Sequence, residues 1–339
     1  MKANIKIICF FCIMCLLSCA IGKDTYIDKI ITIAGDEKTI IEGDSLFSRI
    51  DTILLRPNNT EYIGQVQDVS FTDSMVYILD KTNTIWVFNL ETGVQEKKVN
   101  KSGRGNGEYI NLSSICVEND SVYVLDFQGL SIGIYDLDLH FKRRINLTFP
   151  SIDFAKTSDG FLLYNMNPSE QLKRIVHIDT NGKILNSFLS TEMDEMVMMT
   201  DRIFSTDDER NVFFSEPASS IVYKWDNGMV KPEYTFKYKK ETFLENSQKK
   251  SNSNPQTIRS FVSSHYVISL YLLHKFVLVS LYNQENAISK SGMIDTHLHY
   301  PFFPIVYSNK SLWGIYDSHS IADNKNGFGM VLVKYQIKQ

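Results

Sequence analysis

Short apolar runs separated by polar turns repeat along the chain. The run VYILD at 76–80 returns as VYVLD at 122–126, and each is followed by a second run, IWVFN at 85–89 and IGIYD at 132–136. Val, Ile, Tyr and Phe are the residues that favour half-buried strands. The pattern therefore predicts repeated units of about 45 residues, each built from short strands.

The repeat continues through four further units with decreasing similarity. Their paired apolar runs stand at 161–164 and 175–179, 212–215 and 221–226, 266–271 and 276–280, and 312–316 and 330–335. One such unit cannot bury both faces of its sheet alone, but units arranged around an axis cover one another, as the blades of a β-propeller do. A β-sandwich would need more strands at unrelated spacings. The sequence predicts an all-β, six-bladed β-propeller over residues 45–339, with a seventh blade only if residues 191–211 contain another unit.

The two ends of this region predict how the ring closes. Residues 45–55 form another apolar stretch before the first unit, and the last unit ends at 335–337, one strand short of the others. We expect the N-terminal stretch to complete the last blade, because this closes the ring and removes two exposed strand edges.

The first 19 residues resemble an export signal. Lys2 and Lys6 precede the apolar run 7–17, which is too short to span a bilayer comfortably but fits a secretory signal. The Leu-Leu-Ser-Cys run at 16–19 resembles a lipobox, in which the cysteine is acylated. The sequence predicts a signal peptide at 1–18, lipidation of Cys19, and a tether over 19–44. The expected location is the cell envelope, as an outer-membrane lipoprotein on either its periplasmic or its surface face.

Charge and cysteine content restrict the partners. The formal net charge is -4 and no basic stripe is present, which argues against nucleic acid. Besides Cys19 and the cysteines at 9, 12 and 15, the chain has only Cys116, so an intrachain disulfide is not expected and a buried thiol is. The expected partners are the membrane, through the lipid, and a glycan, a peptide or an envelope protein.

A glycine-rich loop follows the first unit. Its sequence is KSGRGNGEY at 101–109, and its three glycines permit positive φ and close backbone approach. No Gly-Lys-Ser/Thr follows, which argues against a phosphate loop. A structural connector between blades is the preferred interpretation, and ligand contact by Arg104, Glu108 and Tyr109 is the alternative left open.

This loop and the VYVLD strand after it resemble an NHL-type repeat. The chain from about residue 45 onward is similar to the six-bladed β-propeller lipoproteins of Gram-negative gut anaerobes. The resemblance is strongest over 60–145 and carries one clear glycine-rich loop, not a regular array. It implies the fold and leaves the function open. A binding or scaffold module is expected, and a propeller lyase or hydrolase with its site at the channel mouth is the alternative.

Three further sets of residues are candidates for metal or ligand binding. His297 and His299 in the run DTHLH at 295–299 are weak metal candidates, because no other histidine has a matching spacing, and no metal or other cofactor is predicted. Aspartates recur at strand ends and are expected to cap turns, with calcium binding as the minor alternative; they are Asp80, Asp126, Asp136, Asp179 and Asp226. Trp86, Trp225 and Trp313 are expected between blades, with stacking on a ligand as the alternative.

Overall fold

A computed structural model describes residues 29–58, 61–190, 202–217, 219–239, 255–298, 301–317 and 329–338. Within these residues the strands form six sheets, one for each predicted unit, and consecutive strands within a sheet are antiparallel. This confirms the predicted six-bladed β-propeller. The predicted signal peptide and the lipid site Cys19 lie outside the described residues.

The first three blades each consist of four consecutive strands. Blade I contains β4 (Val66–Phe71), β5 (Met75–Asp80), β6 (Ile85–Asn89) and β7 (Gln95–Val99). Blade II contains β8 (Leu112–Glu118), β9 (Ser121–Asp126), β10 (Ser131–Tyr135) and β11 (Phe141–Asn146). Blade III contains β12 (Ser151–Lys156), β13 (Gly160–Asn165), β14 (Ile175–Asp179) and β15 (Ile184–Phe188). The first strand of each blade is the innermost.

The last three blades each include a strand from the N-terminal part of the chain. Blade IV contains β16 (Phe204–Thr206), β17 (Val212–Phe214), β18 (Ile221–Asp226), β19 (Met229–Tyr238) and, outermost, β1 (Lys29–Ile33). Blade V contains β20 (Gln256–Val262), β21 (Tyr266–Leu273), β22 (Phe276–Asn283), β23 (Ser289–Asp295) and, outermost, β2 (Ile40–Glu42). Blade VI contains β24 (Val306–Ser308), β25 (Ser311–Asp317), β26 (Met330–Ile337) and β3 (Phe47–Leu55).

Ring closure follows the prediction, and the segment before it does not behave as a tether. β3 pairs antiparallel with β26, so an N-terminal strand completes the last blade as expected. Residues 29–42, predicted as part of a tether, instead supply β1 and β2, which pair in parallel with β19 and β23. A 3₁₀ turn at Gly43–Ser45 then leads into β3. We call residues 29–42 the N-terminal strap; it covers edge strands that would otherwise expose backbone hydrogen-bonding groups.

Apolar side chains between neighbouring blades form the core. Between blades VI and I, for example, Trp313 stacks on Phe71 with ring centroids 4.7 Å apart, and Trp86 is buried in the same cluster. The strap contributes as well, because Ile31 and Ile33 are buried between blades IV and V. Among the described residues, no helix is long and apolar enough to cross a bilayer.

The closing strand can be tested through Phe47. Its ring is buried against Phe302 and Tyr335, with centroid distances of 5.4 Å and 5.3 Å. Truncation to alanine in Phe47→Ala leaves a cavity and should lower the free energy of unfolding by about 3–5 kcal/mol, as measured by chemical denaturation. Thr52→Ala, at an exposed position of the same strand, should cost within about 0.5 kcal/mol. Equal losses in the two variants would contradict tight packing at the closure.

Candidate functional site

Polar side chains from three neighbouring inner strands meet near the ring axis. Asp68 of β4, Ser114 of β8 and Asp153 of β12 are all buried. Each lies at a β-bulge in its strand, where the register with the next strand shifts by one residue. A bulge redirects a side chain that would otherwise alternate between the faces of the sheet. The bulges therefore bring these three polar groups together inside an apolar ring.

Arg202 reaches this group from the opposite side of the ring. It precedes β16 of blade IV, and its Nη2 and Nε atoms donate to Oδ1 of Asp68 at 2.6 Å and 3.1 Å. Nη2 also donates to the backbone oxygen of Val69 at 2.9 Å. Burial alone would lower the pKa of Arg202, but the charges of Asp68 and Asp153 outweigh this effect and raise the pKa. The guanidinium stays charged, and the ion pair joins blade IV to blade I across the axis.

Ser114 lies between two carboxylates but has a single hydroxyl proton. Its Oγ is 2.9 Å from Oδ2 of Asp68 and 2.8 Å from Oδ1 of Asp153. The hydroxyl can donate to one carboxylate only, so the other contact needs a proton on the carboxyl group. Burial and the nearby Asp68 charge raise the pKa of Asp153. Since Asp68 pairs with Arg202, we assign the proton to Asp153 below about pH 6, where its carboxyl group donates to Ser114.

We call the group formed by Asp68, Ser114, Asp153 and Arg202 the floor. A wide cavity of about 1010 Å³ opens above it. It lies at the end of the ring where the inner strands β4, β8, β12 and β24 turn back into the second strand of their blades. The charged residues in its lining carry both signs; they are Glu118, Asp153, Lys156, Asp159, Arg202, Asp207, Asp208, Glu209, Arg210, Lys224, Asp226 and Lys310. We call this space the mouth pocket.

The turn between β16 and β17, residues 207–211, contacts several other blades at the mouth pocket. Both carboxylate oxygens of Asp208 accept from the Tyr307 hydroxyl of blade VI, at 2.9 Å and 2.8 Å. Arg210 donates to Glu118 of blade II at 2.9 Å. Burial and the Asp208 carboxylate raise the pKa of Tyr307. Blade IV therefore both closes the floor, through Arg202, and frames the opening.

The glycine-rich loop is folded around its own side chains. Glu108 accepts a hydrogen bond from the Gly105 N–H at 2.7 Å, and a Cβ at Gly103 would lie 2.0 Å from the Glu108 carboxylate. Tyr109 is buried in the core of blades I and II, and its hydroxyl accepts from the Lys101 N–H at 2.9 Å. These contacts are those of a connector between blades. Arg104 is exposed, and ligand contact at this loop stays a prediction.

The strand-end aspartates hold turns and loops. Asp80 accepts from the backbone N–H groups of Thr82, Thr84 and Gly64 and from the indole of Trp86. The other four aspartates accept hydrogen bonds from residues of nearby turns. Asp126 accepts from Gly129 and from residues 110–111, Asp136 from His140, Asp179 from Asn181 and Lys183, and Asp226 from Asn227 and Lys231. Because these hydrogen bonds hold the turns that follow the strands, they explain why aspartate recurs at the strand ends. The calcium alternative stays a prediction.

The histidine motif is only partly described. His297 lies on an exposed turn beside Asp295 and Glu42, whereas His299 lies outside the described residues. Trp225 is half-buried and packs edge-on against His177, with ring centroids 4.6 Å apart. Burial raises the pKa of the Cys116 thiol to about 12, so the reactive thiolate is scarce at neutral pH.

The floor residues Asp68, Asp153 and Arg202 were not singled out from the sequence. A signal does exist, because each of the inner strands β4, β8, β12 and β20 has a polar residue at or just after its bulge. Those residues are Asp68, Ser114, Asp153 and Arg259. The shared position of these four polar residues can be recognised only once the positions of the bulges are known.

Comparison with known proteins identifies the fold and a family. A model of the DUF5128 family, described as a 6-bladed beta-propeller, matches residues 22–297. A crystal structure of a protein of Bacteroides fragilis, predicted to be exported, has a TM-score of 0.70 at 18% identity and covers 92% of this chain and 100% of its own. A DUF4221 member from Bacteroides vulgatus has a TM-score of 0.54 at 9% identity, covering 87% and 98%. No curated protein matches the chain.

A third solved structure is more distant. Virginiamycin B lyase from Staphylococcus aureus has a TM-score of 0.45 and 12% identity, and covers 86% of this chain and 99% of its own. This likeness is too low to support an inference about activity.

The axial ion pair predicts unequal effects of two similar substitutions. Arg202→Met leaves the buried Asp68 carboxylate unpaired and should lower the free energy of unfolding by about 3–5 kcal/mol. Arg210→Met breaks an ion pair whose arginine side chain is 66% exposed, and should cost about 0–1 kcal/mol. In denaturant titrations, the double variant Asp68→Asn/Arg202→Met should lose less than the sum of its single variants. Simple additivity would contradict the pairing.

The protonated state of Asp153 predicts how stability changes with pH. Its pKa is raised from 3.8 to about 6, so the folded state binds the proton more tightly than the unfolded state. The contribution of this proton to the stability of the folded state is fully present below about pH 3.8 and is lost as pH rises through about 6. The full loss should be on the order of 3 kcal/mol. Denaturation from pH 4 to 7 should show a smaller decline in Asp153→Asn, whose amide stays neutral. Parallel pH curves for parent and variant would refute the assignment.

Proposed function

The chain belongs to the DUF5128 family of six-bladed β-propellers, and from this premise we propose that it is an exported, lipid-anchored binding module. Its ligand would be a peptide segment of an envelope protein, held in the mouth pocket. The observation that carries the proposal is the pocket itself. A cavity of about 1010 Å³ is large enough for several residues of a peptide.

The buried floor makes this cavity suitable for capture. Arg202 donates to Asp68 of the opposite blade at 2.6 Å, beneath the cavity that Arg202 lines. A ligand entering from the mouth would meet a closed end, so it could bury surface on several sides. The floor and the framing turn at 207–211 are hydrogen-bonded before any ligand arrives. Preorganisation of this kind reduces the entropy cost of binding.

The lining favours a peptide over a glycan. Proteins often bind sugars by stacking them on exposed aromatic faces. Five of the six aromatic rings in the described lining are buried; they are Phe71, Phe154, Phe204, Phe261 and Tyr307. The sixth, Trp225, is half-buried and packs against His177. The rim instead carries both cationic and anionic side chains, such as Lys224, Lys310 and Glu209. Such a surface complements a peptide segment that carries mixed charge.

The envelope location in this proposal rests on the lipobox-like run at 16–19. If Cys19 is acylated, nine residues (20–28) separate it from β1 at the outer edge of blade IV. The enzyme alternative stays a prediction. Ser114 and Asp153, the groups nearest to a catalytic pair in the floor, bond to each other and to backbone atoms.

The proposal can be tested with the chain from residue 23 onward, which contains every described strand. Binding of a fluorescent peptide library is measured by polarisation, beside a glycan array. Ser205→Trp should fill the mouth pocket and weaken peptide binding at least about tenfold, and Lys224→Glu should change the charge preference of the peptides bound. Ser205 and Lys224 both line the pocket.

Lys290→Glu is the matched control, because Lys290 is exposed on β23 and does not line the pocket. It should bind peptides as the parent does. Binding of glycans without peptides would contradict the ligand class. Peptide binding that survives Ser205→Trp would place the site elsewhere on the ring.

A further inference from the structure

The N-terminal strap brings a third ligand-type side chain to the histidine motif. Strand β2 pairs in parallel with β23, and its last residue, Glu42, is the direct partner of Asp295. His297 follows two residues later. Its backbone has a φ of 57°, in the left-handed region, and its N–H donates to Oδ1 of Asp295 at 2.8 Å. Residues from two distant parts of the chain are thus held side by side.

The backbone at this position is closely packed. A Cβ at Gly43 would lie 2.7 Å from the backbone oxygen of Asp295, so only glycine fits at this approach. Thr296, between Asp295 and His297, is buried. Although the three side chains are exposed, the backbone that carries them is fixed. The cluster is therefore a consequence of strand pairing and not a chance meeting of mobile surface groups.

The distances fit a metal ion after small side-chain rotations. The His297 ring lies 3.7 Å from Oε2 of Glu42 through Nε2, and 3.7 Å from Oδ1 of Asp295 through Nδ1. One ligand atom from each of the three residues lies within 4.8 Å of the others. Bonds of about 2.0–2.2 Å to a shared ion would place ligand atoms roughly 3–3.5 Å apart. Each side chain is more than half exposed, so rotation about its own bonds can bring the ligand atoms closer together.

Charge also points to a cation. Glu42 and Asp295 are direct partners on the paired strands β2 and β23, and their like charges repel each other. A neutral imidazole beside them completes a set of one nitrogen and two oxygen ligands. Nitrogen ligands favour zinc and similar transition ions over calcium and magnesium.

We propose that Glu42, Asp295 and His297 bind a divalent transition-metal ion of the zinc type, with water in the remaining positions. The ion would join the N-terminal strap to blade V. Because the site exists only when β2 is paired with β23, binding would stabilise the docked strap. This site is separate from the mouth pocket, and its test does not depend on the proposed peptide ligand.

The test uses the metal-free chain from residue 23 onward, titrated with Zn²⁺ by calorimetry and with Co²⁺ by absorbance. We expect one ion per chain. Loss of a second-shell partner alone weakens metal affinity 10–100-fold, so His297→Ala and Glu42→Gln should each weaken Zn²⁺ affinity by at least about tenfold. His265→Ala is the matched control, because His265 contacts Glu285 at 2.8 Å in another exposed histidine–carboxylate pair. It should leave Zn²⁺ affinity unchanged.

A second measurement tests the structural consequence. Hydrogen exchange at residues 40–42 should slow when Zn²⁺ is added to the parent, and should not change in His297→Ala. The proposal is overturned if Zn²⁺ does not bind, if affinity survives both substitutions, or if Ca²⁺ binds in preference to Zn²⁺. Zinc binding without slower exchange in the strap would overturn its role in holding β2.

Discussion

The ion pair between Arg202 and Asp68 is the interaction on which the inner part of the ring depends. Burying two charges is costly unless each is paired and its remaining hydrogen-bonding capacity is used. Here Asp68 accepts from Arg202, Ser114 and the Ile115 N–H, and Asp153 accepts from the N–H groups of Ile203 and Phe204. Blades I to IV thus converge on one network. Ser114, Asp153 and Arg202 of that network also form part of the lining of the cavity.

Much of the fold could be predicted from the sequence because its regularity is local. Blades I and II repeat the same short apolar runs and the same strand-end aspartates, Asp80 and Asp126, whose turn-capping role explains why they recur. Blade IV was harder to recognise because β16 and β17 have only three residues each. The strap was misjudged as a tether for a physical reason. Its strands pair in parallel with β19 and β23, far along the chain, and no local turn reveals such a partner.

The candidate site was less accessible to prediction. Asp68, Asp153 and Arg202 are single polar residues in separate repeats, and only the bulges and the ring geometry bring them together. The glycine-rich loop attracted attention because its composition is unusual, yet its contacts serve the junction between two blades. A backbone that needs unusual conformations produces a motif that is easy to recognise, such as this glycine-rich loop. A pocket that takes single residues from many blades produces no motif in any one blade.

The closing strand β3 also has a consequence for the order of folding. Phe47 pairs with Ile337, so blade VI cannot form until nearly all of the described chain is available. Contacts between residues so distant in sequence form slowly, since the entropy of closing a long loop is lost before the contact is gained. For a chain that crosses a membrane in an extended form, assembly would finish only after translocation. Until then β3 would remain an unpaired strand, the kind of segment that is prone to aggregation, whereas β1 and β2 can pair once β19 and β23 are available.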